Sequence, residues 1–433
     1  RVRRSMKYAV ITFGCRVNQA DSLKIEEALL ARGATAVPSR EADVVVVNTC
    51  SVTATADQGA RQAIRRIARE NPAAAIVATG CYATRCQDEV AALPHVVRVV
   101  RNDDKTDLAA LIPQAMAGNG PCGQAIEPGV AGRTAFTVRA QTGCEEVCAY
   151  CVIPSTRGRS RSVPPETVVA DTIRAADAGF KEVILTGVHL GSYGRDLRPL
   201  SSLLDLLGAM ERIDRDVTFR ISSLEPMDCP PAIVDLVARS SRFLPHFHLP
   251  LQHASDAILR AMRRPYTLDQ YRRLVDVVRA RLPHASIGSD VIAGFPGETD
   301  DHFEANLRYL PDSPLTHLHV FPYSDRPGTA ASTMGGKIHG ATVRDRGARL
   351  RAIGGLLTGR FRASQIGAIR PGLTLEDGTF VVTDNYLKVR IAPGLLRNTR
   401  VRVRIERDQA GSETRPEAAV PAPAPAISAV LIP

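Results

Sequence analysis

Three apolar runs in the first hundred residues each end at a cysteine, and no other pattern in the chain restricts its fold as much. Tyr8 to Phe13 leads into Gly14-Cys15, Val44 to Val47 into Asn48-Thr49-Cys50, and Ala75 to Ala78 into Thr79-Gly80-Cys81. Continuous apolar, largely β-branched runs without polar alternation read as strands buried on both faces, as in parallel sheets. Helix-like stretches follow each run, at roughly 20–32, 54–69 and 84–92. A βαβαβα order implies a small doubly wound parallel α/β domain, expected over 6–125. Ligands of such sheets collect outside the carboxyl ends of the strands. Cys15, Cys50 and Cys81 therefore belong on one edge, although they are far apart in sequence. Three buried structural cysteines are the competing reading, because free cysteine is commonly buried. Three equivalent positions favour an auxiliary iron–sulfur cluster.

A second trio is local. The string GCEEVCAYC places Cys144, Cys148 and Cys151 in one loop. Clusters ligated by cysteine alone normally take four thiolates, so three leave one iron open to another ligand. Structural zinc is the alternative, but it usually takes four ligands in two close pairs, and no second pair lies near. Of the remaining cysteines, Cys86, Cys122 and Cys229 read as core or surface thiols, with Cys86 the one alternative ligand.

From Thr134 to about Ser324 strand and helix signals alternate. Strands are expected at 136–140, 183–186, 218–221, 247–249, 287–292 and 318–321, with helices at 165–178, 200–210, 232–240, 268–281 and 301–310. Six such units imply a complete or partial TIM-like βα barrel over 130–360, with its active face at the C-terminal strand ends. The three-cysteine loop follows the first strand and opens onto that face. Thr186-Gly187 follows the second, Ser222, Ser223 and Glu225 the third, Gln252 and His253 the fourth. His189, His246, His248 and His253 read as packing or hydrogen-bonding residues rather than metal ligands.

After about Phe361 the period becomes two. Arg400, Arg402 and Arg404 alternate with Val401, Val403 and Ile405, and Lys388 and Arg390 with Leu387, Val389 and Ile391. Such alternation implies a small antiparallel β domain over 361–407, with one basic face able to follow phosphates. The Pro- and Ala-rich stretch from 408 to 433 is expected to be disordered. Net charge is +10, which suits a polyanionic partner. No secretory or membrane-spanning run is visible, and the unpaired cysteines favour a cytoplasmic location.

These motifs resemble the radical S-adenosylmethionine (SAM) methylthiotransferases to about residue 406. The matching strings are TFGCRVNQADS, NTCSVT, ATGCYATR, GCEEVCAYCVIPSTRGRSRS, LTGVHLGSYGRDL, FHLPLQHASDAILRAMRRPYT, SDVIAGFPGET, FPYSDRPGT and VTDNYLKVR. Within the family the nearest branch acts on threonylcarbamoyladenosine at tRNA position 37. The resemblance implies two [4Fe-4S] clusters, at Cys144, Cys148 and Cys151 and at Cys15, Cys50 and Cys81. It also implies SAM, a reducing electron donor, and methylthiolation of the base at C2. Tyr150, Thr186, Gly187, Ser222 and Glu225 are then expected around SAM. Arg157, Arg159 and Arg161 either meet substrate phosphate or the SAM carboxylate, or form a solvated charge run. The β domain resembles the TRAM module, which would hold the tRNA anticodon stem-loop. Isopentenyladenosine-37 or a ribosomal protein as target, and a metal-stabilised RNA-binding protein without catalysis, are the alternatives.

Overall fold

The computed structural model describes residues 5–105, 108–112, 126–129, 132–407 and 427–432. The first sheet has five parallel strands, β1 (Lys7–Thr12), β2 (Thr35–Ala36), β3 (Val44–Thr49), β4 (Ala75–Gly80) and β5 (Val96–Val100), in the order β2-β1-β3-β4-β5. Central β3 is buried along its whole length, as its valine run requires. β2 and β5 are sheet-edge strands with exposed residues, which is why no apolar run marked β2. Helices α1 (Arg16–Leu30), α2 (Ala54–Glu70), α3 (Cys81–Arg85), α4 (Gln87–Ala91) and α5 (Leu108–Leu111) cover the sheet. One apolar cluster, around Ile64, Ile67 and Val90, lies under α2 to α4. Another, around Ile25, Leu29 and Leu108, lies under α1 and α5. The domain is thus doubly wound.

The second domain holds β6 (Phe136–Thr142), α6 (Ile153–Arg157), β7 (Arg161–Ser162), α7 (Pro165–Asp177), β8 (Glu182–Gly187), α8 (Leu203–Glu211), β9 (Thr218–Ile221), α9 (Pro231–Arg239), β10 (His246–His248), α10 (Asp256–Ala261), α11 (Leu268–Arg281), β11 (Ser286–Ala293), α12 (Asp300–Tyr309), β12 (His317–Pro322) and α13 (Gly340–Gln365). All six expected strands and all five expected helices are present. β6, β8 and β9 pair in parallel, as do β10, β11 and β12. Single bridges from Phe219 to Phe243 and from Ser223 to His248 join the two sheets. The result is an open, partial barrel. Helix α1 of the first domain packs against β6 and β8. Local starts are specified by side chains. Thr267 and Thr299 form capping boxes with Gln270 and His302 at α11 and α12, each satisfying otherwise orphaned backbone donors.

The C-terminal domain is a closed five-stranded barrel, β13 (Ile369–Leu375), β14 (Phe380–Thr383), β15 (Lys388–Arg390), β16 (Arg400–Arg407) and β17 (Ile427–Ile432). Its pairs are antiparallel except β15 with β17. Val389, Val403 and Ile405 are buried, while Lys388, Arg390, Arg402 and Arg404 point outward. Two expectations change. Residues 427–432 do not belong to a disordered tail: Ile427 and Ala429 enter the core and β17 pairs along β16. An unpaired edge on β16 would leave backbone donors and acceptors unsatisfied, and the apolar string ISAVLI covers it. Residues 408–426 lie outside the described residues. Helix α13 also crosses the expected boundary at 360, placing Phe361 in the core of the small barrel. Among the described residues no helix is long and apolar enough to cross a membrane.

Candidate active site at the mouth of the open barrel

Cys15, Cys50 and Cys81 follow β1, β3 and β4, and the fold brings them together. Gly14 has φ +85°, and a Cβ there would lie 2.5 Å from the Cys50 sulfur. Gly80 has φ +99°, and a Cβ there would lie 2.1 Å from the carbonyl oxygen of Thr49. Only glycine permits both close approaches. Asn18 ties the loops by donating from Nδ2 to the carbonyls of Phe13 and Thr49, each at 2.9 Å. Burial, reinforced by the neighbouring Cys15 and Cys81, pushes the Cys50 thiol up to about 11. Burial also works against ionisation of Cys81. Arg157 and Lys105 outweigh it, with Asn102 donating to the sulfur at 3.6 Å, and hold that thiol below its ordinary value.

Cys144, Cys148 and Cys151 form the second trio, and each has its own neighbour. Arg264 Nη1 donates to Cys148 Sγ at 3.1 Å and pairs with Glu225. His189 Nδ1 lies 3.9 Å from Cys144 Sγ, while its Nε2 meets Asp228 at 2.6 Å. Burial lowers the affinity of His189 for a proton, but Asp228 and Cys144 raise its pKa to about 10. The backbone N–H of Ile153 donates to Cys151 Sγ at 3.5 Å. Burial drives Cys151 up to about 12, with Cys148 and Cys144 adding to the shift. Each trio is a set of soft donors that repel one another as thiolates; Cys50 and Cys81 are buried, Cys15 is exposed, and Cys144, Cys148 and Cys151 are half-buried. A bound cationic iron–sulfur group relieves that repulsion, since a coordinating metal deprotonates the thiol outright. Both donor sets fit such a group.

A cavity of about 160 Å³ is lined from both the first domain and the barrel. Val52 and Thr53, just after Cys50, form one wall, and Tyr150, just before Cys151, forms another. Gln252, Asp290, Ile292, Phe321, Pro322, Tyr323 and Ser324 complete it. The first domain is fastened over it. Ala54 N donates to Ser324 Oγ at 2.9 Å, and Arg326 reaches Ser51 Oγ at 2.8 Å and Asp57 at 2.6 Å. Below, Asp290 Oδ1 receives His248 at 2.9 Å and His319 at 3.2 Å, and the ligand atoms of these three lie close enough together to hold a metal ion, which the sequence reading of His248 did not anticipate. His253 is hydrogen-bonded to Asn306 and Ser255.

Other expected residues fall as follows. Thr186 is buried and accepts a hydrogen bond from Ser222 Oγ at 3.1 Å. Gly187 is occupied by protein packing: a Cβ there would meet Leu190 at 2.7 Å and Gln141 at 3.2 Å. Its glycine thus admits Leu190, where the sequence reading had a ligand. Arg157 is neither solvated nor free for a phosphate. It is buried, donating to Asn18 Oδ1 at 2.6 Å and to Asp21 Oδ2 at 3.0 Å. Arg159 is exposed, and Arg161 pairs with Asp103 at 2.6 Å. Cys86 is half-buried beside α3, Cys229 is buried, and Cys122 lies outside the described residues.

Asp21 was not singled out by sequence reasoning, although it stands in the string TFGCRVNQADS. It is buried on α1 and receives Lys105 at 3.0 Å, Arg157 at 3.0 Å, and Arg139 of β6. Burial alone would raise its pKa, but Lys105, Arg157 and Arg139 hold the carboxyl far below the usual carboxylate range. A depressed folded-state pKa stabilises the protein above the unfolded value, about 3.9, and the contribution is lost as pH falls below that. Asp21→Asn strands three buried or half-buried cations and is expected to cost about 3–5 kcal/mol. Denaturant unfolding at pH 7 measures the loss, and the gap between variant and wild type should narrow below about pH 4.

Comparison with known proteins places this arrangement. A radical SAM superfamily model matches residues 138–310, and a model described as uncharacterized protein family UPF0004 matches residues 7–101. A radical SAM methyltransferase from Kitasatospora setae, TsrM, shares 16% identity over 76% of this chain and 77% of that one, with a TM-score of 0.54. That likeness is one of fold. The protein is a radical SAM enzyme, which brings a [4Fe-4S] cluster and SAM with it. The threonylcarbamoyladenosine tRNA methylthiotransferase MtaB of Bacillus subtilis is 34% identical over 87% of this chain and 88% of its own length. A tRNA-2-methylthio-N(6)-dimethylallyladenosine synthase of Dictyoglomus thermophilum is 35% identical over 75% and 77%. The chain belongs to the radical SAM methylthiotransferase family.

Proposed function

We propose that the protein transfers a methylthio group to C2 of N6-threonylcarbamoyladenosine at position 37 of tRNA. The observation that carries this reading is the cavity walled on one side by the loop after Cys50 and on another by the residue before Cys151. A reacting base there lies between the two thiol trios. Cys144, Cys148 and Cys151 hold the SAM-binding cluster, and Cys15, Cys50 and Cys81 hold a second [4Fe-4S] cluster. Between them these groups and SAM supply the hydrogen-abstracting radical and the sulfur, with electrons from a reducing donor.

The side chains do the positioning. Arg264 and His189 orient Cys148 and Cys144 and offset the negative charge of the loop site. Tyr150, Thr186, Ser222 and Glu225 surround SAM, Glu225 through its pair with Arg264. Arg157 and Lys105 do for Cys81 what Arg264 does for Cys148. The outward Arg402, Arg404, Lys388 and Arg390 of the small barrel follow the phosphates of the anticodon stem-loop. Position 37 lies in a loop, where the base unstacks at lower cost than in a duplex.

Relatives named for dimethylallyladenosine match at similar identity, which keeps that base as the second reading. Nucleoside analysis of tRNA from a deletion strain separates the two. Loss of 2-methylthio-threonylcarbamoyladenosine is expected, and an unchanged level would overturn the assignment.

A further inference from the structure

Arg16 follows Cys15 directly, yet its guanidinium turns away from the thiols. Nη1 donates to Gln19 Oε1 at 3.2 Å, and Nη2 donates to the hydroxyl of Tyr386, which belongs to the C-terminal barrel. No carboxylate pairs with Arg16 among the described residues. The other arginine beside Tyr386, Arg220, lies 4.7 Å over its ring and is already matched by Glu182. Arg16 is therefore a half-buried cation with no carboxylate partner and with donors free for an anion.

Tyr386 is held in place for this contact. Its backbone is left-handed, with φ +67°. The turn that carries it is pinned by Arg220 donating to the carbonyl of Asp384 at 3.0 Å and by Asn385 donating to Gln365 at 2.9 Å and to the carbonyl of His284 at 3.0 Å. The Tyr386 side remains open, with 37% of the residue exposed. Against its ring, at 4.4 Å, stands His246. That histidine is 9% exposed, and its Nδ1 is buried without a hydrogen-bond partner. An unpaired guanidinium, an open hydroxyl and an orphaned imidazole nitrogen thus meet at one place, contributed by three domains.

We propose that Arg16, with Tyr386 and His246, receives the carboxylate at the end of the N6 substituent of the substrate base. This rests on the function proposed above. C2 and the N6 substituent of adenine are separated by two ring bonds, so a base whose C2 faces the Cys15 trio carries its N6 chain within reach of the next residue's side chain. A threonylcarbamoyl chain ends in a carboxylate, which a guanidinium binds through paired N–H donors. A dimethylallyl chain offers only hydrocarbon, and it would leave Arg16 and His246 Nδ1 unsatisfied.

The test compares two anticodon stem-loops, one with the free threonyl acid and one with its methyl ester, on the iron- and sulfide-reconstituted full chain. Wild type prefers the acid. In Arg16→Gln the acid-to-ester ratio of kcat/KM falls roughly 10- to 100-fold, toward 1, with iron content per chain at the wild-type value. Tyr386→Phe lowers the ratio less, and Arg16→Lys restores part of it. An Arg16→Gln ratio equal to that of wild type overturns the inference while leaving the substrate assignment standing. Wild type that ignores the acid and methylthiolates a dimethylallyl stem-loop overturns both.

Discussion

Cys148→Ala is expected to abolish reductive cleavage of SAM. Outer-shell changes at metal sites commonly cost roughly 10- to 100-fold, and loss of a direct thiolate costs more, on the order of 10³-fold or beyond. The fold should survive, because Arg264 keeps its pair with Glu225 and its packing over Tyr266 when the sulfur is gone. Anaerobic reconstitution followed by assay of 5′-deoxyadenosine formation measures the effect, with the melting temperature as the control for folding. Cleavage at more than a few per cent of the wild-type rate would place the SAM-binding iron elsewhere.

Cys50→Ala separates the two jobs. The variant should still cleave SAM, because all three loop cysteines and their partners Arg264 and His189 lie in the barrel domain. It should yield no methylthiolated base, a loss on the order of 10³-fold or more, since Cys50 is one of the three thiols proposed to hold the second cluster. Mass spectrometry of digested stem-loop RNA reads the product, and 5′-deoxyadenosine reads the uncoupled half. Methylthio product at wild-type yield would remove the first domain from the chemistry.

Much of the architecture could be read from local pattern. The valine run at 44–47 needed burial on both faces, and the structure puts β3 at the centre of a parallel sheet. The 144–151 spacing and the six strand signals of the barrel were equally plain, because each depends on residues close in sequence. What escaped reading is built from partners far apart. Asp21 meets Lys105, Arg139 and Arg157; Arg264 meets Cys148; Tyr386 meets Arg16. Most of these residues stand in the matching strings, but no periodicity shows which of them pair. Gly187 was legible as a glycine that must be small, but the pattern was silent on whether ligand or Leu190 takes the room. The strand at 427–432 did carry a signal in its apolar string, which the preceding Pro-Ala stretch overshadowed.

The docking of α1 against β6 and β8 bears on how such proteins can be recombined. One helix starts directly after Cys15, supplies Asn18 and Asp21 to a barrel arginine, and sends Arg16 to the third domain. A chimera that exchanged the first hundred residues with those of a relative would need matching residues at 139, 157 and 386 as well. The lobes are separate in sequence, but these contacts couple them.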